Sequence, residues 1–228
     1  MFWTLINYTR SSFLNLVKWL LNLFNNKGSV KKTEPAQPKI EQPKTEPIKE
    51  SDIKKIALLV GHGAGDSGAV CRRNRLEEHT YNSIAAETIA QSDVGKSIKV
   101  FYKSNSGWLG TYAKVKLFNP DLTIEMHLND ADSLAVGCEV LCVNKDSKSC
   151  EVGKQFASEF CKEFQRRIRG DKGIKWMQQG GRGYMNLVGA KAVSPRSILI
   201  EPFFINTESE WIEPSRYAEF LIKFLRGL

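Results

Sequence analysis

Cysteine and histidine are scarce in this sequence, with five and three residues among 228. Five cysteines without a C-x-x-C pair exclude a disulfide-rich scaffold and a zinc ribbon. Apolar residues make up 42% of the chain and charged residues 25%, which excludes wholesale disorder and a multi-span membrane protein. The formal net charge of +8 favours an anionic partner, and nucleic acid, an acidic membrane surface and an anionic cell wall all fit it.

Residues 1–25 are dominated by Phe, Trp, Leu, Ile and Val, with polar residues recurring every three or four positions. On a helix these polar residues form one narrow stripe on an apolar cylinder, which predicts a membrane-associated helix. An atypical or uncleaved export signal and a helix that packs on protein are the alternatives. A cleavable signal peptide fits poorly, because Lys18 interrupts the apolar segment and no small-x-small site follows it.

Residues 26–52 contain few apolar side chains, and their prolines alternate with Lys and Glu. Such a segment cannot bury enough surface to fold, so it predicts a flexible linker.

Residues 53–228 alternate short apolar runs with longer segments of helical pattern. The alternation predicts a single α/β domain, with a mostly parallel twisted sheet covered by helices on both faces. The predicted strands are Lys55–Val60, Ile98–Tyr102, Leu122–Met126, Cys138–Val143 and Ser197–Ile200. The predicted helices are Glu78–Gln91, Gly107–Phe118, Val152–Arg169 and Pro214–Leu228.

Three polar residues each follow an apolar run that predicts a buried strand. They are His62 after IALLV, His127 after LTIEM and Glu201 after SILI. Ligands of open α/β sheets bind at the carboxyl ends of the strands, so these side chains can converge at one edge. Two imidazoles and a carboxylate, with one position left for water, form the common catalytic zinc site. The alternative is that each histidine is an ordinary residue at a strand end.

Four ordered strings carry a resemblance to a known family: GHGAGDSGAV, LEEHTYN, EMHLND with GCEVL after it, and ILIEPFFINTESEW. Together they resemble the zinc-dependent N-acetylmuramoyl-L-alanine amidases of cell walls and phages. The resemblance runs through most of residues 53–228 and does not cover the segments before them.

The resemblance implies a role for each matched residue. His62, Glu78 and His127 would be the ligands of one Zn²⁺ ion, and Glu201 would be the catalytic base. The string EHTYN places the glutamate ligand at Glu78 rather than at the preceding Glu77, and it leaves His79 on the helix surface.

Three further residues are candidates for substrate binding: Asn129, Asn206 and Arg182, the last in the glycine-rich stretch MQQGGRGYMNLVGA. A turn-stabilising role is the alternative for both asparagines. The sequence departs from the family pattern at Pro202, where a small residue is usual, and at Glu125, where the string S-x-H-x-N has serine. Both departures could reshape the substrate groove.

The implied activity is zinc-dependent hydrolysis of the amide bond between N-acetylmuramic acid and L-alanine in peptidoglycan. Another zinc peptidase of stem peptides and a non-catalytic wall-binding module are the alternatives. The expected partners are peptidoglycan and, through residues 1–25, a membrane, whereas nucleic acid is not expected. The protein would act on the periplasmic or extracellular side, as an autolysin or a phage lysis protein. In an oxidising space Cys142 and Cys150 form the most plausible disulfide, and free buried thiols are the alternative.

Overall fold

The computed structural model describes residues 53–63, 65–105, 107–131, 135–143, 146–179, 181 and 184–228. The predicted membrane helix at residues 1–25, the predicted linker at 26–52 and Arg182 lie outside the described residues. Within the described part of the chain, no helix combines the length and the apolar character that crossing a membrane requires.

A six-stranded sheet forms the centre of the domain, in the order β2-β1-β3-β6-β4-β5. The strands are β1 Lys55–Val60, β2 Ser97–Tyr102, β3 Leu122–Met126, β4 Glu139–Val143, β5 Ile174–Met177 and β6 Arg196–Glu201. All neighbouring strands are parallel except β4 and β6, which run antiparallel. The carboxyl ends of β1, β3 and β6 therefore lie at one edge, together with the first residue of β4.

Burial follows the position of each strand in the sheet. The central strands β1, β3 and β6 are almost continuously buried, as their apolar sequences IALLV, LTIEM and SILI require. The outer strands β2 and β5 both contain exposed residues, because each has only one neighbouring strand. A buried carboxylate, Glu125, interrupts the apolar sequence of β3.

Helices cover both faces of the sheet. They are α1 Glu78–Ala90, α2 Gly107–Phe118, α3 Ser147–Phe164, α4 Tyr184–Lys191 and α5 Pro214–Gly227. On one face α1, α3 and α5 enclose the larger core, where aromatic rings from all three helices meet. On the other face α2 and α4 pack over two smaller clusters. The predicted α/β class, with a mostly parallel sheet between helical layers, is confirmed.

Three elements were not predicted, namely β5, α4 and a 3₁₀ helix at Glu208–Glu210, and one helix was predicted with the wrong bounds. Strand β5 has only four residues, and α4 follows a glycine-rich stretch that favours a loop. Helix α3 begins at Ser147 rather than Val152, since the Asp146 side chain accepts a hydrogen bond from the Ser149 amide and caps it. It ends at Phe164 rather than Arg169, because Gln165 adopts a left-handed conformation.

All five cysteines are free thiols and are buried. The thiols of Cys142 and Cys150 are close enough to shift each other's pKa, and so are those of Cys138 and Cys161. The structure therefore has free thiols, the alternative to a disulfide. Cys142 and Cys150 link β4 to α3, and Cys138, directly before β4, contacts Cys161 on α3.

Two buried tyrosines provide a matched pair for measuring stability. The Tyr81 hydroxyl donates a hydrogen bond of 2.8 Å to the Ile212 carbonyl, whereas the Tyr217 hydroxyl has no hydrogen-bond partner among the described residues. We expect Tyr81→Phe to lower the free energy of unfolding by about 1–3 kcal/mol, because the carbonyl is left unsatisfied. Tyr217→Phe should leave it unchanged or raise it slightly, because a buried hydroxyl without a partner is removed. Urea denaturation of the full chain measures both, and equal losses would contradict the hydrogen-bond assignment.

Candidate metal centre

Three side chains from different elements converge at the carboxyl edge of the sheet. His62 lies two residues beyond β1, His127 directly follows β3, and Glu78 is the first residue of α1. One ligand atom from each lies within 4.8 Å of the others. The two imidazole rings meet edge to face, with centroids 4.8 Å apart.

Glu78 lies between the two histidines. Its Oε1 is 3.0 Å from His127 Nδ1, and its Oε2 is 3.1 Å from His62 Nε2. The backbone amides of Leu128 and Ala69 also donate to these oxygens, at 2.9 and 3.0 Å. Burial acts to raise the pKa of the Glu78 carboxyl, but the hydrogen bonds from His127 and His62 outweigh it and hold the pKa well below its usual range. Glu78 is therefore an ionised carboxylate in a buried site.

The backbone around the two histidines is adapted to the position of their rings. His62 has a φ of 64°, a conformation that L-residues rarely adopt and that costs on the order of 1–3 kcal/mol. A Cβ at Gly68 would lie 2.5 Å from His62 Cδ2, and one at Gly61 would lie 2.5 Å from His127 Cε1. Glycine at positions 61 and 68 is thus required for the two rings to approach the carboxylate.

A second carboxylate faces the outer nitrogen of each imidazole. His62 Nδ1 is 3.0 Å from Asp66 Oδ2, and His127 Nε2 is 3.0 Å from Glu125 Oε1. The hydrogen bond with Glu78 raises the pKa of His62 and outweighs the effect of burial. Burial lowers the pKa of His127, but the hydrogen bonds with Glu125 and Glu78 raise it to about 10. Three carboxylates thus surround the two imidazoles, and their negative charge can attract a cation.

The donor set fits a small divalent metal ion. Two imidazole nitrogens and one carboxylate oxygen are the protein ligands of many catalytic zinc sites, in which the fourth position is open. Carboxylates behind both imidazoles match the outer hydrogen bonds that metal-ligating histidines usually make. His62, Glu78 and His127 could thus hold a metal ion together.

Glu201, the last residue of β6, lies next to this cluster, because the His127 amide donates to the carbonyl of the preceding Ile200 at 3.0 Å. Opposite Glu201 in the antiparallel pair stands Glu139, the first residue of β4. Burial and a hydrogen bond with Glu139 raise the pKa of Glu201 to about 7. Two carboxyl groups thus share one hydrogen bond beside the candidate ligands.

The partners of Glu139 keep that residue ionised. Asn129 Nδ2 donates to it at 2.8 Å, and Lys175 Nζ and Arg169 Nε approach at 3.3 and 3.4 Å. Burial raises the pKa of Glu139, but the hydrogen bonds with Asn129 and Glu201 and the charges of the two basic residues give a net lowering. In the pair, Glu201 is therefore the group that titrates near neutral pH.

Of the other residues predicted from the sequence, one lies beside the cluster and one ties loops together. Asn129 reaches the Glu139–Glu201 pair, whereas Asn206 ties two loops by accepting from the Arg72 amide and donating to Asp130, at 2.8 and 2.9 Å. Asn206 thus joins segments that are distant in sequence, rather than stabilising its own turn. His79 is half-buried rather than on the surface, with its Nδ1 2.9 Å from the Gly61 carbonyl.

Sequence reasoning gave no role to Asp66, Glu139 or Asn186, and treated Glu125 only as a departure from the family pattern. A carboxylate within the apolar run LTIEM is an available signal, because an unpaired buried charge is rare. The role of Glu139 depends on the reversal of β4, which the order of elements does not reveal.

A model of the family described as N-acetylmuramoyl-L-alanine amidase matches residues 56–220, which contain all four candidate residues of the site. No curated protein matches the sequence.

The fold is similar to three solved structures. The N-acetylmuramoyl-L-alanine amidase from Clostridium difficile 630 is 22% identical, with a TM-score of 0.58 over 77% of this chain and 96% of that one. The catalytic domain of CwlV, an N-acetylmuramoyl-L-alanine amidase from Bacillus (Paenibacillus) polymyxa var. colistinus, is 17% identical, with a TM-score of 0.55 over 77% and 95%. The apo form of the amidase Ami1 from Mycobacterium abscessus is 13% identical, with a TM-score of 0.59 over 75% and 96%.

Proposed function

Because the chain belongs to the N-acetylmuramoyl-L-alanine amidase family, and is thus a cell-wall hydrolase, we propose that it works with one zinc ion held by His62, Glu78 and His127. The convergence of these three side chains within 4.8 Å, in a partly buried cluster beside Glu201, carries the proposal. The bond cut is the amide between N-acetylmuramic acid and L-alanine. A bound zinc ion would supply a Lewis acid for the scissile carbonyl and a water of lowered pKa.

Glu201 is the general base of this proposal. With its pKa raised to about 7, its carboxylate accepts a proton from the attacking water more readily than an ordinary carboxylate does. The protonated Glu201 then donates that proton to the departing amine of L-alanine. One residue thus moves a single proton from the water to the leaving group.

Glu139 sets the pH range in which Glu201 can act. We expect Glu139→Gln to move the acid limb of kcat/KM towards lower pH by on the order of one unit, because the variant lacks the negative neighbour that holds the proton on Glu201. A lower pKa leaves the base deprotonated at lower pH, which gives the sign. Lys175→Met should move the limb in the opposite direction, since the Lys175 charge lowers the pKa of Glu201. Rates on peptidoglycan between pH 5 and 9 measure both shifts, and shifts of the same sign would contradict the pairing.

Digestion of purified peptidoglycan, with and without a chelator, tests the proposed chemistry. New L-alanine amino termini that disappear with the chelator and return with added zinc support it. New termini at diamino acids or at D-alanine would point to a peptidase of the stem peptide. Stoichiometric zinc without any product would point to a wall-binding module.

Action on peptidoglycan places the protein at the cell wall, on the extracellular or periplasmic side. The proposal includes membrane attachment through residues 1–25, whose narrow polar stripe and apolar surface support it. Flotation of the full chain with lipid vesicles checks this attachment against a chain that begins at residue 26.

A further inference from the structure

Glu125 is a carboxylate in the middle of the sheet, and the proposed chemistry gives it no role. Its side chain is 0% exposed, within a strand whose other members are apolar or small. An ionised carboxylate away from water costs several kcal/mol unless other groups compensate it. Such a residue needs partners, and its partners indicate what it does.

Two side chains donate to the same oxygen of Glu125. His127 Nε2 lies 3.0 Å from Oε1, and Asn186 Nδ2, on α4, lies 2.8 Å from it. The other oxygen, Oε2, has no hydrogen-bond partner among the described residues. The Tyr112 hydroxyl donates to the Asn186 carbonyl at 2.9 Å and links this part of α4 to α2. Glu125 is therefore held in one orientation, with Oε1 towards His127.

Glu125 and Glu78 face opposite nitrogens of the His127 ring. A carboxylate can only accept, so without a metal both ring nitrogens carry a hydrogen. A metal ion bound beside Glu78 would replace the hydrogen on Nδ1, whereas Glu125 would keep the one on Nε2. His62 has the reverse arrangement, with Nδ1 facing Asp66 and Nε2 facing Glu78. The two histidines thus offer different ring nitrogens to the same point.

The ring of His127 has little freedom to turn. A Cβ at Gly61 would lie 2.5 Å from Cε1 and 2.7 Å from Nε2 of the His127 ring, so the backbone of Gly61 passes close to its edge. The Glu125 side chain is fully buried, whereas the Asp66 side chain behind His62 is 52% exposed. A buried charged hydrogen bond is screened less than an exposed one, so Glu125 restrains its histidine more strongly than Asp66 does.

From these contacts we propose that Glu125, held by Asn186, is a positioning residue that fixes the tautomer of His127 and presents Nδ1 to the metal. The proposal rests on the metal site of the proposed function. It deepens that function by adding a residue that orients a metal ligand. The resembled string S-x-H-x-N has serine at the corresponding position, and serine cannot place a charge there. Zinc affinity, rather than the chemical step, is the property that Glu125 controls.

Zinc affinity of the full chain, measured by competition with a chromogenic chelator, tests the proposal. Glu125→Met keeps the volume and removes the acceptor, and we expect it to weaken zinc binding by about 10–100-fold. Asn186→Ala should weaken it less, because the carboxylate remains. Thr123→Val is the matched control on the same strand, since the buried Thr123 hydroxyl has no hydrogen-bond partner among the described residues. It should bind zinc as the native chain does.

A second measurement needs no variant and is independent of folding defects. Long-range ¹H–¹⁵N spectra of the zinc-loaded native chain, which has only three histidines, show which nitrogen of each ring binds the metal. We expect Nε2 for His62 and Nδ1 for His127. Coordination of His127 through Nε2 would overturn the proposal, as would native zinc affinity in a folded Glu125→Met chain.

These outcomes are separable from failure of the proposed function. Zinc binding is measured without substrate, so a chain that binds zinc through His127 Nδ1 but cuts no amide bond contradicts the proposed base chemistry only. A native chain that binds no zinc contradicts the proposed metal. Unchanged affinity in Glu125→Met, together with normal native activity, contradicts only the role of Glu125.

Discussion

Glu201→Gln is expected to keep its zinc and to lose amide hydrolysis by about 10²–10⁴-fold, the usual contribution of a positioned general base. Glutamine has the same shape as glutamate but cannot accept the proton of the attacking water. The hydrogen bond between the side chains of residues 201 and 139 can be kept, because the glutamine amide can donate to the Glu139 carboxylate. Release of L-alanine amino termini from purified peptidoglycan measures the loss, and metal analysis measures the retained zinc.

Glu219→Gln is the matched control for this variant. Glu219 is exposed on α5, and the same substitution there removes one negative charge without touching the site. Its activity should equal that of the native chain. Hydrolysis at the native rate by Glu201→Gln would remove Glu201 from the mechanism, and Asn129 and Glu139 would be the next residues to substitute.

His127→Ala is expected to abolish both zinc binding and turnover. The substitution removes one of three ligands and leaves Glu78, Glu125 and His62 around an unfilled space. Metal-to-protein ratios after dialysis, together with peptidoglycan digestion, measure the two losses. Treatment of the native chain with a chelator should give the same inactive state, and added zinc should restore activity only in the native chain.

His79→Ala provides the control for loss of an imidazole. His79 is adjacent to Glu78 in sequence, but its Nδ1 contacts the Gly61 carbonyl and the residue is outside the ligand group. We expect this variant to bind one zinc ion per chain. Loss of zinc from His79→Ala with retention in His127→Ala would reverse the ligand assignment.

The sequence could predict the residues that depend on strand direction. His62, His127 and Glu201 each follow or end a buried parallel strand, and the carboxyl ends of such strands share one edge of the sheet. Glu78 was reached through the family resemblance, because nothing in its helix distinguishes it from Glu77. The structure separates the two, since Glu78 is buried between the histidines and Glu77 is exposed.

The contacts between the ligands and their neighbours could not be predicted. The pairing of Glu139 with Glu201 requires β4 to run antiparallel to β6, and the hydrogen bond between Asn186 and Glu125 requires a helix where the glycine-rich sequence favours a loop. Both depend on how distant segments pack, for which local patterns carry no signal. The predicted bounds of helix α3 were wrong for local reasons, the cap at Asp146 and the left-handed Gln165.

The reversed direction of β4 determines which connections can change without altering the site. Its first residue lies at the catalytic edge and its last at the far edge, so the segment joining β3 to β4 forms part of the rim around Glu201. The segment before β5 borders the same rim, because β5 runs alongside β4. Extra residues inserted into either segment would give the enzyme new walls for distinguishing one cell-wall chemotype from another. Insertions after β4 would lengthen the opposite end of the molecule and leave substrate choice as it is.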